Sequence, residues 1–180
     1  MSKNILVIST SLRNNSNSEI LADSFIDGAR SAGNNVEKIT LKDKSIAFCK
    51  GCLACQKTKK CVINDDAVEI ADKMCGADVI VFATPIYYYE MSGQMKTLLD
   101  RANSLFARDY KFRDIYMLTT AAEDEDHVPE KAVSGLEGWI DCFEKAQLAG
   151  KVFAGGVGGA GDIEKHRMLQ KAYDMGTAVC

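Results

Sequence analysis

The stretch Ala77-Asp78-Val79-Ile80-Val81-Phe82-Ala83 indicates the fold more clearly than any other part of the sequence. Its apolar run is short and rich in β-branched residues, which is typical of a central strand covered on both faces in a parallel sheet. Thr84-Pro85 ends the run, because proline cannot donate to a central hydrogen-bond ladder. Near the N-terminus, Ile5–Ile8 has the same character. We therefore expect both segments to be buried parallel strands.

Helical patterns alternate with strands along the rest of the chain. Ile20, Leu21, Phe25 and Ala29 recur at helical spacing, and Gly33 follows them as a stop signal. Such alternation predicts an α/β domain with a parallel sheet, helices on both faces and right-handed crossovers. We interpret residues 1–180 as a single domain with an irregular stretch over 43–64. The predicted strands span 5–8, 35–41, 77–83, 113–119 and 151–155, and the predicted helices span about 17–32, 65–75, 92–105, 129–149 and 162–175.

Composition excludes several classes of function. The formal net charge of −3 argues against nucleic-acid or acidic-membrane partners, because neutralising phosphates requires a basic face. The first apolar run, Ile5–Ile8, is only four residues long, whereas a signal peptide needs about 7–15 apolar residues and a membrane span about 20. We expect a cytoplasmic protein without a membrane or nucleic-acid partner.

The loop after the first strand has the chemistry of a phosphate site. Residues 9–18, Ser-Thr-Ser-Leu-Arg-Asn-Asn-Ser-Asn-Ser, offer five hydroxyls and one guanidinium before a helix begins. Free N–H groups and the helix dipole favour an anion there, and Arg13 would add charge-assisted hydrogen bonds. The segment is not a P-loop, since it lacks the Gly-Lys-Ser/Thr ending. The alternative is that its Ser and Asn residues only cap the helix and form turns.

Two further loops should meet this one, because ligands of open parallel sheets bind outside the carboxyl ends of the strands. The loop after the central strand holds Pro85, which stiffens the turn, and the tyrosines Tyr87, Tyr88 and Tyr89, which offer flat faces. These features suit a flavin ring, although the tyrosines could instead cover an apolar edge or a dimer interface. The third loop, residues 119–122, is a candidate by position rather than by chemistry.

The two chemically distinctive loops resemble those of the NADPH-dependent FMN reductase family. Residues 10–18 are similar to its phosphate loop, with Thr10 and Leu12 in place of the family's Gly and Pro, and residues 84–101 are similar to its Thr-Pro-(Ile/Val)-Tyr … Met-Ser-Gly-Gln-Met-Lys … Asp-Arg pattern. The resemblance implies a three-layer flavodoxin-like fold with a five-stranded parallel sheet of order 2-1-3-4-5. It also implies FMN as cofactor and NAD(P)H as co-substrate, with no catalytic side chain required. The candidate cofactor-binding residues are Ser9, Ser11, Arg13, Ser16, Asn17, Ser18, Pro85, Ile86, Tyr87, Tyr88, Tyr89, Thr119, Thr120 and Ala121.

Four cysteines crowd one short segment. Cys49, Cys52, Cys55 and Cys61 are spaced C-x2-C-x2-C-x5-C, which suits four thiolates around one centre: a [4Fe–4S] cluster or, less often, zinc. The alternative is a flexible loop of free thiols, or of disulfides formed on exposure to air. The spacing resembles the cysteine motif of the iron–sulfur flavoproteins, a branch of the same superfamily. There the cluster lies near a subunit interface and passes electrons to FMN.

These features lead to two hypotheses of function. The first is an oxidoreductase that passes electrons from NAD(P)H through FMN to a small acceptor, either a flavin or a quinone. The second is an electron carrier that ferredoxin loads through a [4Fe–4S] cluster. The resemblance implies a homodimer or a higher homo-oligomer in either case.

Other signals carry less weight. Gly156–Gly161 fits G-x-G-x-x-G, but no strand follows its helix, so the βαβ unit of a dinucleotide site cannot form. A glycine-rich turn at the sheet edge explains it better. Cys75, Cys142 and Cys180 are isolated in sequence and fit structural or surface thiols. The two histidines, His127 and His166, suggest no catalytic arrangement.

Overall fold

A single main sheet organises the computed structural model, which describes residues 2–179. Its strands are β1 (Asn4–Ser9), β2 (Asn35–Thr40), β3 (Val79–Tyr87), β4 (Glu90–Met91), β5 (Asp114–Thr120) and β6 (Gln147–Ala154). The order is β2-β1-β3-β5-β6 with every neighbouring pair parallel, and β4 folds back antiparallel on the end of β3. The predicted parallel sheet of order 2-1-3-4-5 is therefore confirmed, with the short hairpin strand β4 as an addition.

Helices cover both faces of the sheet. They are α1 (Asn17–Ser31), α2 (Ala54–Thr58), α3 (Asp66–Gly76), α4 (Gly93–Arg101), α5 (Glu130–Ile140) and α6 (Met168–Thr177), with 3-10 turns at 102–107 and 162–165. Val79 and Val81 pack towards α1 and α6, whereas Ile80 and Phe82 pack towards α3, α4 and α5. Because both faces are buried, β3 needs apolar residues at every position, which explains its uninterrupted run. None of the helices among residues 2–179 is both long and apolar enough to cross a membrane.

Polar caps determine where the helices beside the loops begin. The hydroxyl of Ser16 accepts the N–H of Glu19 at the start of α1, and that of Ser92 accepts the N–H of Met95 at the start of α4. The carboxylate of Asp65 accepts the N–H of Ala67 at the start of α3. Each cap satisfies an N–H group that has no partner inside its helix.

The prediction of one helix over 129–149 was wrong in its second half. The α5 helix ends at Ile140, and residues 147–150 instead extend β6 along β5. The pairing of β5 with β6 shifts register between Ile115 and Tyr116, and a Cβ on Gly150 opposite Tyr116 would lie 3.2 Å from its ring. For residues 147–150, pairing with the edge strand β5 therefore outweighs the local preference for a helix. This is a tertiary effect that the sequence pattern does not show.

Two other predictions need adjustment. The predicted helix over 162–175 is broken, because His166 is extended and its Nδ1 accepts the N–H of Met168 before α6 starts. The segment 43–64, predicted irregular, contains the five-residue helix α2. Cys75 is buried and Cys142 is exposed, whereas Cys180 lies outside the described residues.

The close crossing of α1 and α6 yields a stability prediction. A Cβ on Gly176 would lie 2.1 Å from the backbone oxygen of Phe25. We expect Gly176→Ala to lower the free energy of unfolding by about 1–3 kcal/mol, because the helices must separate to admit the methyl group. Urea denaturation of the cofactor-free protein measures it. Gly138→Ala in α5 is the matched control, since its Cβ would meet no atom within 4 Å. Equal stability of the two variants would contradict the prediction.

Candidate active site

Three segments meet at the carboxyl end of the sheet around a cavity of about 200 Å³: the loop after β1, the end of β3, and the end of β5 with the residues after it. This is where the switch-point argument predicts the site, although β3 continues past the predicted end at Thr84-Pro85 to Tyr87. Ten of the fourteen candidate cofactor-binding residues line this cavity: Ser11, Arg13, Ser16, Asn17, Ser18, Pro85, Ile86, Tyr87, Thr120 and Ala121. Ala122, Val157 and Gly158 complete the lining.

The N-terminus of α1 forms one end of the cavity. Ser16 and Ser18 share a hydrogen bond of 3.2 Å between their hydroxyls, and the Ser11 hydroxyl accepts the N–H of Arg13 at 3.2 Å. The first N–H groups of a helix have no partner within it and point out of its end. Hydroxyl donors, free N–H groups and the positive end of the helix dipole therefore converge on one spot, which has the chemistry of an anion site.

Asn17 has a different role from its neighbours. Its side-chain amide donates to the carbonyls of Val157 and Gly159 at 3.0 and 2.7 Å, and its Oδ1 accepts the N–H of Ile163. Both amide hydrogens and the amide oxygen are thus committed within the protein. Asn17 is left with its backbone N–H for a ligand, and its side chain anchors the loop.

The glycine-rich segment 155–161, discounted as a nucleotide motif, forms the fourth wall of this cavity. Arg13 donates to the carbonyl of Gly158 at 2.9 Å, and the N–H of Val157 donates to the carbonyl of Ala121. A Cβ on Gly155 would lie 2.5 Å from the Cα of Asp124. The segment therefore needs glycine to approach the neighbouring loop. This role could have been predicted from the position of the segment directly after the last strand, at the carboxyl end of the sheet where the site lies.

A buried network of hydroxyls joins the first two loops beneath the cavity. Thr10 and Ser92 share a hydrogen bond of 2.9 Å, and Thr84 accepts the N–H of Ser92 at 3.1 Å. The N–H of Thr10 donates to the carbonyl of Ala83. Since all three hydroxyls are fully buried, the network fixes the two loops relative to each other.

The tyrosine segment forms a tight hairpin between β3 and β4. Tyr88 and Tyr89 occupy its two turn positions with φ of +52° and +67°, a left-handed conformation that is uncommon for bulky residues. Tyr88 is 98% exposed, and Tyr89 stacks on His127 with ring centroids 6.0 Å apart. Neither lines the cavity, whereas Tyr87, at 49% exposure, stands at its edge.

Ser9 and Thr119 also lie away from the cavity lining. Both are buried in strands, and the Thr119 hydroxyl donates to the carbonyl of Val152. The Ser9 hydroxyl has no hydrogen-bond partner within residues 2–179. Together with Tyr88 and Tyr89, these are the four candidates that the structure does not bring to the cavity.

The four clustered cysteines line a second cavity, of about 490 Å³. All four are free thiols, with Cys49 and Cys52 exposed and Cys55 and Cys61 half-buried. Within residues 2–179 no three Cys, His, Asp or Glu side chains converge as ligands of one metal ion. Cys142, isolated in sequence, lines the same cavity at the end of α5.

A buried ion pair holds both ends of the cysteine segment. The Arg101 guanidinium donates to both carboxylate oxygens of Asp65 at 2.6 and 2.7 Å, and to the carbonyls of Ala47 and Ile63. Burial acts to raise the pKa of Asp65, but the hydrogen bonds from Arg101 and from the N–H of Ala47 outweigh it and hold the pKa below its usual range. Residues 47 and 63 flank the cysteines, so the pair pins the segment at its base.

Comparison with known proteins identifies the family. A family model described as NADPH-dependent FMN reductase matches residues 3–125, which is more than half of the chain. The chain belongs to this family. It is a family of oxidoreductases, so the resemblance noted from the two loops is confirmed. The glycine-rich wall and the cysteine segment are features of this FMN reductase family member described from its own geometry.

Curated relatives of this FMN reductase family member include iron–sulfur flavoproteins. One from Methanosarcina thermophila is 26% identical over 83% of this chain and 79% of its own length. One from Methanocaldococcus jannaschii is 37% identical over 56% of this chain, which spans about half (52%) of that relative.

Solved structures share the fold. An NAD(P)H:quinone oxidoreductase from Methanothermobacter marburgensis has a TM-score of 0.77 at 17% identity, covering 98% of this chain and 96% of that one. An azoreductase from Bacillus anthracis has a TM-score of 0.72 at 14% identity, covering 98% and 99%.

Proposed function

We propose that this protein is an FMN-dependent oxidoreductase that takes electrons from NAD(P)H and passes them to a small acceptor, a flavin or a quinone. The observation that carries the proposal is that the anion site at the start of α1 and the side chain of Tyr87 line the same cavity. Family membership supports FMN and NAD(P)H as its cofactor and co-substrate.

The donor set of the cavity fits FMN. The phosphate would be held by the hydroxyls of Ser11, Ser16 and Ser18 and by the first N–H groups of α1, a combination suited to a dianion. The volume of about 200 Å³ is below the about 300–1,000 Å³ of sites that enclose a whole ligand. The phosphate end would therefore be enclosed, with the ring at the open mouth beside Pro85, Ile86 and Tyr87.

FMN supplies hydride acceptance and electron release at its ring, and the protein supplies binding and orientation. Within residues 85–87, Ile86 is the residue with a backbone N–H to offer, because proline has none and Tyr87 is hydrogen-bonded to Glu90 across the hairpin. The half-exposed Tyr87 ring would shield one side of the flavin from water. The hydroxyl network of Thr10, Thr84 and Ser92 would fix the distance between the phosphate site at the start of α1 and the ring site at the end of β3.

Anaerobic reduction of the bound flavin tests this proposal. Protein reconstituted with FMN should lose its flavin absorbance near 450 nm when NADPH or NADH is added, much faster than free FMN at the same concentration. A quinone or excess FMN should then restore the colour. If neither pyridine nucleotide bleaches the bound flavin faster than free FMN, the proposal fails.

A second candidate function is electron transfer through a [4Fe–4S] cluster, with ferredoxin as the donor. The favouring observation is that Cys49, Cys52, Cys55 and Cys61 all line one cavity as free thiols. The relatives named iron–sulfur flavoproteins support it. Protein purified without oxygen should contain about four irons and four sulfides per chain. Less than one iron per chain would contradict this function.

We also propose that the protein assembles as a homodimer or a higher homo-oligomer. Several large apolar side chains that line the cysteine cavity are exposed, namely Leu53 at 56%, Val62 at 60% and Phe106 at 58%. Such a patch is typical of an interaction surface. Light scattering on the purified protein should give at least twice the chain mass, and a monomer at micromolar concentration would contradict this.

A further inference from the structure

Asn103 and Arg101, two side chains with N–H donors, line the cavity that holds the cysteines. The Asn103 side-chain amide donates to the Cys55 sulfur at 3.2 Å. Arg101 and Cys61 both line this cavity. Both donors belong to the end of α4 and the 3-10 turn after it, which is separated in sequence from the cysteines. The sequence pattern of the cysteines therefore gave no sign of them.

One N–H donor of Arg101, at Nε, has no hydrogen-bond partner within residues 2–179. The Arg101 side chain is fully buried, and its two terminal nitrogens make all of its hydrogen bonds, to Asp65, Ala47 and Ile63. A buried unpaired donor is costly, and a charged sulfur in the same cavity is a natural acceptor for it.

We propose that Asn103 and Arg101 are positioning residues of the four-cysteine site, which donate to the sulfurs of Cys55 and Cys61 and raise the reduction potential of the cluster held there. The inference rests on the second proposed function. Hydrogen bonds to ligand sulfurs stabilise negative charge, and the reduced cluster carries one more negative charge than the oxidised cluster. The two donors therefore favour the reduced state, which is the state that a carrier must reach to accept an electron.

The test is a redox titration of the anaerobically purified protein, followed by electron paramagnetic resonance of the reduced cluster. Asn103→Ala removes the donor to Cys55 and should lower the reduced-to-oxidised ratio at a fixed potential about tenfold, which is a shift of about −59 mV for one electron. Asn103→Asp keeps the shape but replaces the donor with a carboxylate, so its potential should fall at least as far. If Asn103 had only a structural role, Asn103→Asp would not lower the potential at least as far as Asn103→Ala does.

Gln56→Ala is the matched control. Gln56 lines the same cavity with the same amide group, but its side chain makes no hydrogen bond to a sulfur within residues 2–179. Its potential should stay at the wild-type value. Arg101→Lys, which keeps the charge and removes Nε, should also lower the potential. Arg101→Lys also disturbs the buried ion pair with Asp65, so its potential alone is not decisive. The Asn103 variants decide the outcome.

The possible failures are distinguishable. A wild-type protein with less than one iron per chain would overturn both this inference and the proposed cluster function. A wild-type protein that holds the cluster, with Asn103→Ala at the same potential as Gln56→Ala, would overturn the inference alone. An unchanged potential in Asn103→Asp would do the same.

Discussion

Replacing Ser18 with aspartate should weaken FMN binding by about a hundredfold or more. The substitution removes a hydroxyl donor to the phosphate and places a negative charge at the anion site. A hydrogen bond to a charged group contributes about 1.5–3 kcal/mol. Two like charges about 4 Å apart repel by about 1–4 kcal/mol at the effective dielectric of a partly solvated site. Since each 1.4 kcal/mol is tenfold in affinity, the combined loss exceeds about a hundredfold.

Folding should survive this substitution. Ser18 is buried, but an acidic residue in the first turn of a helix suits the positive end of its dipole, which offsets part of the cost of burying the carboxylate. Urea denaturation of the cofactor-free variant checks that it remains folded. Quenching of FMN fluorescence during titration measures the affinity. Ser134→Asp, at an exposed position of α5, makes the same change away from the cavity and should bind FMN normally. Wild-type affinity in Ser18→Asp would place the phosphate elsewhere.

Asp65→Asn should cost about 3–5 kcal/mol of folding free energy. Asparagine can still cap α3, so the substitution isolates the loss of the charge that faces Arg101. The guanidinium, with 0% of its side chain exposed, would then be a buried charge without its counter-ion, and breaking such a pair from one side has this cost. Urea denaturation of the cofactor-free protein at pH 7 measures it. The cysteine segment should loosen as well, since the pair holds its two ends.

The effect of this substitution should depend on pH. The folded-state pKa of Asp65 is lowered, so its contribution to stability is present above the unfolded value of about 3.9 and is lost as the pH falls through the folded value. The difference between the wild type and Asp65→Asn should therefore shrink below about pH 4. Asp100→Asn, which breaks the exposed pair with Lys96, is the control and should cost less than about 1 kcal/mol. Equal losses in the two variants would contradict the assigned role of Arg101.

Much of the fold was predictable because it depends on local patterns. The strands around Val7 and Val81 are buried on both faces, so their apolar runs are uninterrupted. Helix caps such as Ser16 directly precede the first turn. The hairpin strand β4 escaped notice because it is two residues long, and its turn uses tyrosines in a left-handed conformation rather than the usual Asn-Gly. The second half of the predicted fifth helix failed because pairing with β5 outweighs local propensity.

The parallel sheet, the polar loop at the start of α1 and the crowding of four thiols follow from the amino-acid sequence alone, because burial periodicity and residue chemistry are local properties. Which of these groups meet depends on the tertiary fold. It turned the side chain of Asn17 into an anchor for the glycine-rich wall and directed Tyr88 away from the cavity. It also brought Arg101 and Asn103 to the cysteine sulfurs. Hydrogen-bond partners tens of residues apart depend on how the helices pack on the sheet, and no local pattern records that packing.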